Sequence, residues 1–309
     1  MNKRAFIKKG ILASSAWALG TYPLFSLTKK DEYFPGIPIV DTHLHLWDLN
    51  VMDYPWLRGR GLPLERNYTL RDYQKATKKH PVSKMVFVEC ARKPEQYLQE
   101  VDWVQQLADS QSAIAGMVAY FPLEMGTDGQ EPMEEMAKRE IVRGIRKNFM
   151  PGHSKYLQGI GLMRRFQWVC ELNVGPGQLA EVIGLVSKFP EQVFVLNHLA
   201  NPDIGNLDWR TWAEALAPFA SRNQVYCKLS GMITRASRDW EVAHLEPYFN
   251  TVLEVFGSDR VIYGGDWPVV LRAGTLHDWM TAFFSLSEVL STEEKKKLYH
   301  TNAERLYRI

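Results

Sequence analysis

The sequence predicts an α/β fold in which eight parallel strands, each followed by a helical crossover, close into a (β/α)8 TIM barrel. Three observations lead there. Short apolar runs recur from residue 36 onward, eight in all, and most are nearly continuous in hydrophobicity, as strands covered on both faces must be. Between them lie longer stretches whose apolar residues repeat at helical spacing. A doubly wound open sheet is the alternative, but the glycine-rich phosphate loop that its commonest cofactors need is missing from the sequence.

The first strand is carried by Ile37-Pro38-Ile39-Val40-Asp41-Thr42-His43-Leu44-His45-Leu46-Trp47-Asp48. Its apolar run ends in two histidines at alternate positions. A strand points such positions to one face, so two imidazoles converge at its end. A polar cap on an edge strand has the same local pattern, and the histidines need partners from later strands. Those strands are expected at 85–90, 113–120, 142–147, 168–172, 193–198, 225–230 and 260–266.

The intervening segments support helices. Residues 95–109 place Leu98, Val101, Val104 and Leu107 at three-residue spacing, and 178–188 place Leu179, Val182, Ile183 and Val186 on one face. Further helices are expected at 209–219, 240–256 and 276–290. Thr301-Asn302-Ala303-Glu304 has capping-box spacing and opens a short final helix carrying Leu306 and Tyr307.

With 309 residues, 46% of them hydrophobic, the chain can fill a sizeable core, and the body from 36 to 309 reads as a single barrel domain. A formal net charge of +2 gives no nucleic-acid signature. Part of that charge lies in Lys3, Arg4, Lys8 and Lys9, within a segment, 1–35, that reads separately. Its basic start precedes a mostly apolar stretch, interrupted by Ser14, Ser15, Gly20 and Pro23, that is too short and broken for a comfortable membrane span. The stretch resembles a twin-arginine export signal with Lys3 in place of the first arginine. Export to the periplasm is therefore expected, by that route or the general secretory one, with no stable span in the mature protein. A cytoplasmic enzyme and an N-terminally anchored one are the alternatives. Cys90, Cys170 and Cys227 are odd in number and widely spaced, which argues for small buried hydrophobes rather than a disulfide framework.

In a barrel, polar residues at the strand C-termini share one mouth. His43 and His45 from the first strand, His198 from the sixth and Asp266 from the eighth form a reasonable site for one Zn²⁺ or Mn²⁺, with a position left for water. Asp266 could bind the ion, accept a proton from water, or do both in turn. Arg146 could hold a hydroxylated or acidic substrate, Lys147 could neutralise a substrate carboxylate, and Glu89 could face the pocket; structural ion pairs or hydrogen bonds are the alternatives. Trp47 and Trp267 directly follow metal-site groups and could wall a sugar-sized cavity, or simply pack. His153 could enter from the long connection between residues 147 and 167 or stay in solvent. His80, His244, His277 and His300 sit in helical or connector contexts and carry no assigned chemistry.

Residues 36–309 resemble the amidohydrolase-related lactonases, particularly the branch hydrolysing sugar-acid lactones such as fuconolactone and rhamnonolactone, with pyrone-dicarboxylate lactonase as a cousin. The matching motifs are Val40-Asp41-Thr42-His43-Leu44-His45-Leu46-Trp47-Asp48, Gly144-Ile145-Arg146, Val195-Leu196-Asn197-His198-Leu199-Ala200-Asn201-Pro202, Lys228-Leu229-Ser230-Gly231 and Tyr263-Gly264-Gly265-Asp266-Trp267-Pro268. The resemblance implies a distorted barrel of metal-dependent hydrolase type whose mouth holds one metal or none. It also implies that His43, His45 and His198 bind metal or polarise the lactone carbonyl, and that Asp266 is the general base directing water. Lys147 stands where relatives often carry histidine, and Asn197 where they often carry aspartate. The fourth strand offers no bridging carboxylate and the fifth no histidine, Glu171 being the nearest ligand there, so a second metal is not expected.

The expected reaction is hydrolysis of a small-molecule lactone. Metal-dependent decarboxylation, or other C–C hydrolysis of an acidic substrate, is one alternative. A non-catalytic secreted sugar-binding protein is another, though it would not need an acid-base group like Asp266 beside the metal ligands. Catalysis without metal, with the same histidines donating hydrogen bonds to the substrate, stays open, as does a homo-oligomer.

Overall fold

The computed structural model describes residues 36–59, 61, 63–206 and 209–309. The expected leader, residues 1–35, lies outside them. Eight parallel strands pair in sequence order: β1 Ile39–Leu44, β2 Val82–Val88, β3 Ile114–Ala119, β4 Val142–Arg146, β5 Val169–Leu172, β6 Phe194–Leu196, β7 Val225–Leu229 and β8 Val261–Tyr263. The helices are α1 Leu70–Ala76, α2 Tyr97–Ser110, α3 Gln130–Met136, α4 Ser154–Met163, α5 Leu179–Lys188, α6 Trp209–Leu216, α7 Met232–Arg235, α8 Val242–Phe256, α9 Leu276–Ser287, α10 Thr292–Lys296 and α11 Asn302–Tyr307. None of the helices described is long and apolar enough to cross a membrane.

Strand alternation divides the core in two. Val40, Val86, Val88, Val118, Val169, Val195 and Ile262 face inward and pack with Ala303, Leu306 and Tyr307 of α11, which seals the barrel floor. The opposite strand faces meet the helices. On α5 the covered stripe is Leu179, Val182, Leu185 and Val186, and each such side chain contributes about 1.5–3 kcal/mol by leaving water. Above the valine layer lies a fully buried ion pair. Lys228 Nζ donates at 2.8 Å to each carboxylate oxygen of Glu171 and to the Thr42 carbonyl, while the Tyr307 hydroxyl reaches up from the floor to Glu171.

Closure between β8 and β1 is irregular, which is the distortion of this barrel. No regular ladder joins them among the described residues; instead Leu44 bridges to Trp267. His45 N donates to the Trp267 carbonyl, and Asp266 N to the His43 carbonyl, both at 2.8 Å. Two expected strands are also shorter than their apolar runs. β6 stops at Leu196 because His198, Leu199, Ala200 and Asn201 are consecutively left-handed, with φ between 51° and 60°. β8 stops at Tyr263, ahead of the left-handed Asp266 (φ 55°).

The capping box expected at Thr301 does not form. Thr301 is itself helical and its side chain caps nothing, because α11 continues out of a wide turn at Lys297–Thr301. Glu304 pairs with Lys84 instead, at 2.8 Å. Boxes with a Thr or Ser cap do form elsewhere, between Thr69 and Asp72, Thr275 and Asp278, and Ser291 and Glu294, opening α1, α9 and α10.

Candidate metal and substrate site

The pairing register of β1 shifts between Asp41 and Leu44, an irregularity of the kind that re-aims side chains at barrel rims. Asp41 faces away from the mouth, accepting from the Tyr73 hydroxyl at 2.7 Å and from Gly265 N at 2.7 Å. Gly265 has to be glycine for this contact, since a Cβ there would lie 2.4 Å from Asp41 Oδ2. The Asp41 carboxylate thus ties β1 to the segment carrying Asp266.

His43 Nε2 lies 3.8 Å and His45 Nε2 3.7 Å from Asp266 Oδ1. One ligand atom from each of the three residues falls within 4.8 Å of the others, and all three side chains are buried. The tautomers suit a cation. His45 Nδ1 is 2.8 Å from the Val88 carbonyl; a carbonyl only accepts, so the proton is on Nδ1 and Nε2 keeps a free lone pair. His43 Nε2 faces Arg146 Nη1 at 3.4 Å; an arginine only donates, so this nitrogen too carries no proton, and its lone pair accepts from the guanidinium. Two unprotonated imidazole nitrogens and a carboxylate fit one divalent ion, which would take the place of the Arg146 N–H at His43.

Electrostatics point the same way. Burial, followed by the charge of Lys228, holds His43 well below the usual histidine range. Burial and Arg146 push His45 down to about 3, and the same two influences hold His198 far below its ordinary value. All three rings are neutral at physiological pH, the form that ligates metal. Burial raises the Asp266 carboxyl to about 7, with the Arg146 charge opposing the rise.

His198 stands beside the trio rather than in it. Its ring centroid is 4.5 Å from that of His43, and its Nδ1 is 2.9 Å from Ser230 Oγ. The left-handed turn that carries it holds residues in a region costing roughly 1–3 kcal/mol each, a local cost sustained by the surrounding packing. Gly231 supplies the room: at φ 63°, a Cβ would sit 2.8 Å from His198 Nδ1 and 3.2 Å from Asp266 Oδ2.

Above these groups opens a cavity of about 290 Å³ reached by His45, Arg146, His198 and Asp266. Four other expected substrate contacts are elsewhere. Trp47 is fully buried, held by backbone pairing with Tyr68, and donates its Nε1 to the Arg66 carbonyl. Trp267 packs edge-on against Tyr68 and Tyr73, at 5.0 and 5.5 Å. Adjacency in sequence to a site residue therefore misleads for both tryptophans, whose rings join the aromatic layer outside the mouth. Lys147 Nζ is bound by the Tyr120 hydroxyl and Glu124, each at 2.9 Å, away from the cavity. Glu89 does not line the cavity but holds Arg146, accepting from its Nε at 2.9 Å. Glu171 is locked below the mouth by Lys228. His153 caps α4 through Tyr156 N.

The cavity also contains groups the sequence did not single out: Trp56, Asn173, Asn201, Thr234, Arg235 and Arg272. They come from loops and short turns without periodicity, and only the barrel topology brings them together. A second groove, of about 400 Å³, runs past Leu49, Asp53, Arg58 and Glu65, outside the mouth, and holds none of the strand-end groups.

Eight parallel strands in a near-closed barrel, with two neutral imidazoles and a carboxylate at the C-terminal mouth, define a hydrolytic enzyme of the metal-dependent barrel type acting on a small organic molecule. The chain belongs to the amidohydrolase family, whose sequence profile matches residues 40–309. It is 25% identical over 282 residues to the L-fucono-1,5-lactonase of Burkholderia ambifaria, covering 87% of this chain and 95% of that one. It is 23% identical to the L-rhamnono-gamma-lactonase of Scheffersomyces stipitis, over 88% of this chain and 98% of the other. In three dimensions it is similar to an amidohydrolase from Burkholderia multivorans crystallised with bound zinc, at a TM-score of 0.79 and 24% identity over 88% and 99% of the two chains.

Proposed function

We propose that the protein opens the ring of a sugar-derived lactone by hydrolysis, with Asp266 as general base. The observation that carries this reading is the convergence of His43 Nε2 and His45 Nε2 on Asp266 Oδ1, at 3.8 and 3.7 Å, at the base of a polar cavity large enough for one sugar ring. The lactonases among its relatives support the choice of a cyclic ester.

His43, His45 and Asp266 would hold the ion, proposed to be zinc, which when bound supplies Lewis-acid polarisation of the carbonyl and acidifies water. The remaining work falls to the chain. Asp266 takes a proton from water as the water oxygen bonds to the lactone carbonyl carbon. Arg146, oriented by Glu89, offers N–H groups to the oxygen that becomes negative. When the ring C–O bond breaks, Asp266 returns its proton to the departing oxygen. One water is consumed, and the product is a hydroxy acid. His198, whose Nδ1 lies 2.9 Å from Ser230 Oγ, lines the same cavity and would contact the substrate there.

The test is a panel of five- and six-membered aldonolactones assayed with metal-analysed protein, beside Asp266→Asn. General-base catalysis typically contributes ~10²–10⁴-fold, so the variant should lose nearly all turnover while keeping its fold. Retention of more than about a tenth of kcat removes Asp266 from that role. The basic segment around Arg4 and the apolar stretch after it further support export to the periplasm. Fractionation that recovers the full chain only from the cytoplasm overturns that reading.

A further inference from the structure

Arg235 and Arg272 give the mouth a charge that opening a neutral lactone does not need. Arg235 ends α7, after β7, and Arg272 ends the turn Val269–Arg272, after β8. The loops after the last two strands of such barrels frequently bind phosphate, so a substrate anion there has precedent in the fold. Both side chains line the cavity, whose only carboxylate among the described lining residues is Asp266. The third arginine there, Arg146, already has its counter-ion in Glu89 at 2.9 Å. Neither of the other two does: among the described residues Arg272 makes no hydrogen bond or ion pair, and Arg235 donates only to a neutral amide oxygen, Asn201 Oδ1, at 2.6 Å.

That amide is itself fixed. Asn201 closes the left-handed turn after β6, and its Nδ2 donates at 2.8 Å to both Asn173 Oδ1 and the Val174 carbonyl. Its Oδ1 is thereby held towards Arg235, which leaves the rest of the guanidinium free for a ligand. Arg235 lines the same cavity as His45, His198 and Asp266, so the guanidinium shares the space in which the substrate would react.

Building on the lactonase reading, we propose that the natural substrate is a lactone bearing a carboxylate of its own, a sugar diacid closed at one end, and that Arg235 and Arg272 grip that free carboxylate while the ester carbonyl faces His43, His45 and Asp266. A cavity of about 290 Å³ accommodates one such ring with its acid group. The two arginines supply planar donor pairs matched to a carboxylate.

The test compares wild type, Arg235→Met, Arg272→Met, the double variant and Arg272→Lys on three lactones of matched ring size: gluconolactone, glucarolactone with its free carboxylate, and phosphogluconolactone. Charged hydrogen bonds of this kind correspond to roughly 10–100-fold each. Wild type should therefore prefer glucarolactone by at least ~10-fold in kcat/KM. The double variant should erase that preference, losing at least ~10-fold more on glucarolactone than on gluconolactone, and lysine should restore part of it. Equal use of neutral and acidic lactones, or equal loss on both in the double variant, overturns the proposal. Preference for the phosphorylated lactone overturns the carboxylate assignment in favour of a phosphate. Thermal shift with glucarate against gluconate gives a readout independent of turnover. If no lactone is opened but glucarate alone stabilises wild type, and not the double variant, recognition of the second carboxylate stands and the lactonase reading falls. If neither acid stabilises the protein and no lactone is opened, both fall.

Discussion

His45 Nδ1 lies 2.8 Å from the backbone carbonyl oxygen of Val88, on the neighbouring strand. The ring's tautomer is thus set by the main chain of β2, where no side-chain substitution can remove the acceptor. The nitrogen facing Asp266 is left bare in every resting molecule, before any ion arrives.

Metal content should follow this geometry. We expect about one divalent ion per chain by elemental analysis, since the described residues offer one set of ligands. The His43→Ala/His45→Ala double variant should lose most of it. His198→Ala should keep it while lowering turnover, because His198 lies beside the trio. Loss of metal in His198→Ala would place that ring in the coordination sphere.

The pH dependence of the metal-free protein has a definite sign. Its fold raises the Asp266 carboxyl from 3.8 to about 7. Between those values the unfolded chain has released the proton while the folded one retains it, so stability falls as pH climbs through the window and levels off above it. Thermal melts of chelated protein should show that decline. Chelated Asp266→Asn should show less of it, and wild type loaded with metal should show less as well, because the bound ion favours the ionised carboxylate.

Gly231→Ala should impair both stability and catalysis. Its φ of 63° costs an alanine roughly 1–2 kcal/mol, and the added methyl would press on His198 Nδ1 at 2.8 Å. Gly257→Ala is the control: φ is 65° there too, but nothing lies within 4 Å of the added Cβ. It should lower the melting temperature and leave kcat unchanged.

The buried pair below the mouth should behave asymmetrically. Lys228→Met leaves the Glu171 carboxylate uncompensated in a fully buried setting and should cost about 3–5 kcal/mol in urea denaturation. Adding Glu171→Gln removes the stranded charge and should recover much of that loss. If the double variant were no better than the single, the Glu171 charge would not be the source of the instability.

How much was legible depends on how local each signal was. His43 and His45 were readable because alternation along one strand places them, and the apolar runs of β2 to β8 were readable because strands buried on both faces leave continuous hydrophobic stretches. Asp266 was readable as a polar group closing an apolar strand. Arg235 and Arg272 were not, since each lies in a short turn whose reach into the mouth depends on the loop geometry after β7 and β8. Trp47 and Trp267 were misplaced for the converse reason: adjacency along the chain says nothing about direction once the backbone leaves the extended form, as it does at Asp266. The false capping box at Thr301 had the right residues at the right spacing, but a wide helical turn runs into it and leaves no free helix end to cap.

Tyr307 and its helix have a consequence for synthesis. The floor of the barrel, and the last hydrogen bond to Glu171, come from α11, which the ribosome delivers only after all eight strands have emerged. Until then the nascent barrel has an open base, a wet valine layer and an incompletely satisfied carboxylate at its centre. Chains commonly fold from the N-terminal side as they are made, and here the helix that covers the valine layer follows all eight strands. A stalled or truncated chain lacking α11 would expose that interior, giving chaperones and proteases a ready way to tell unfinished molecules from finished ones.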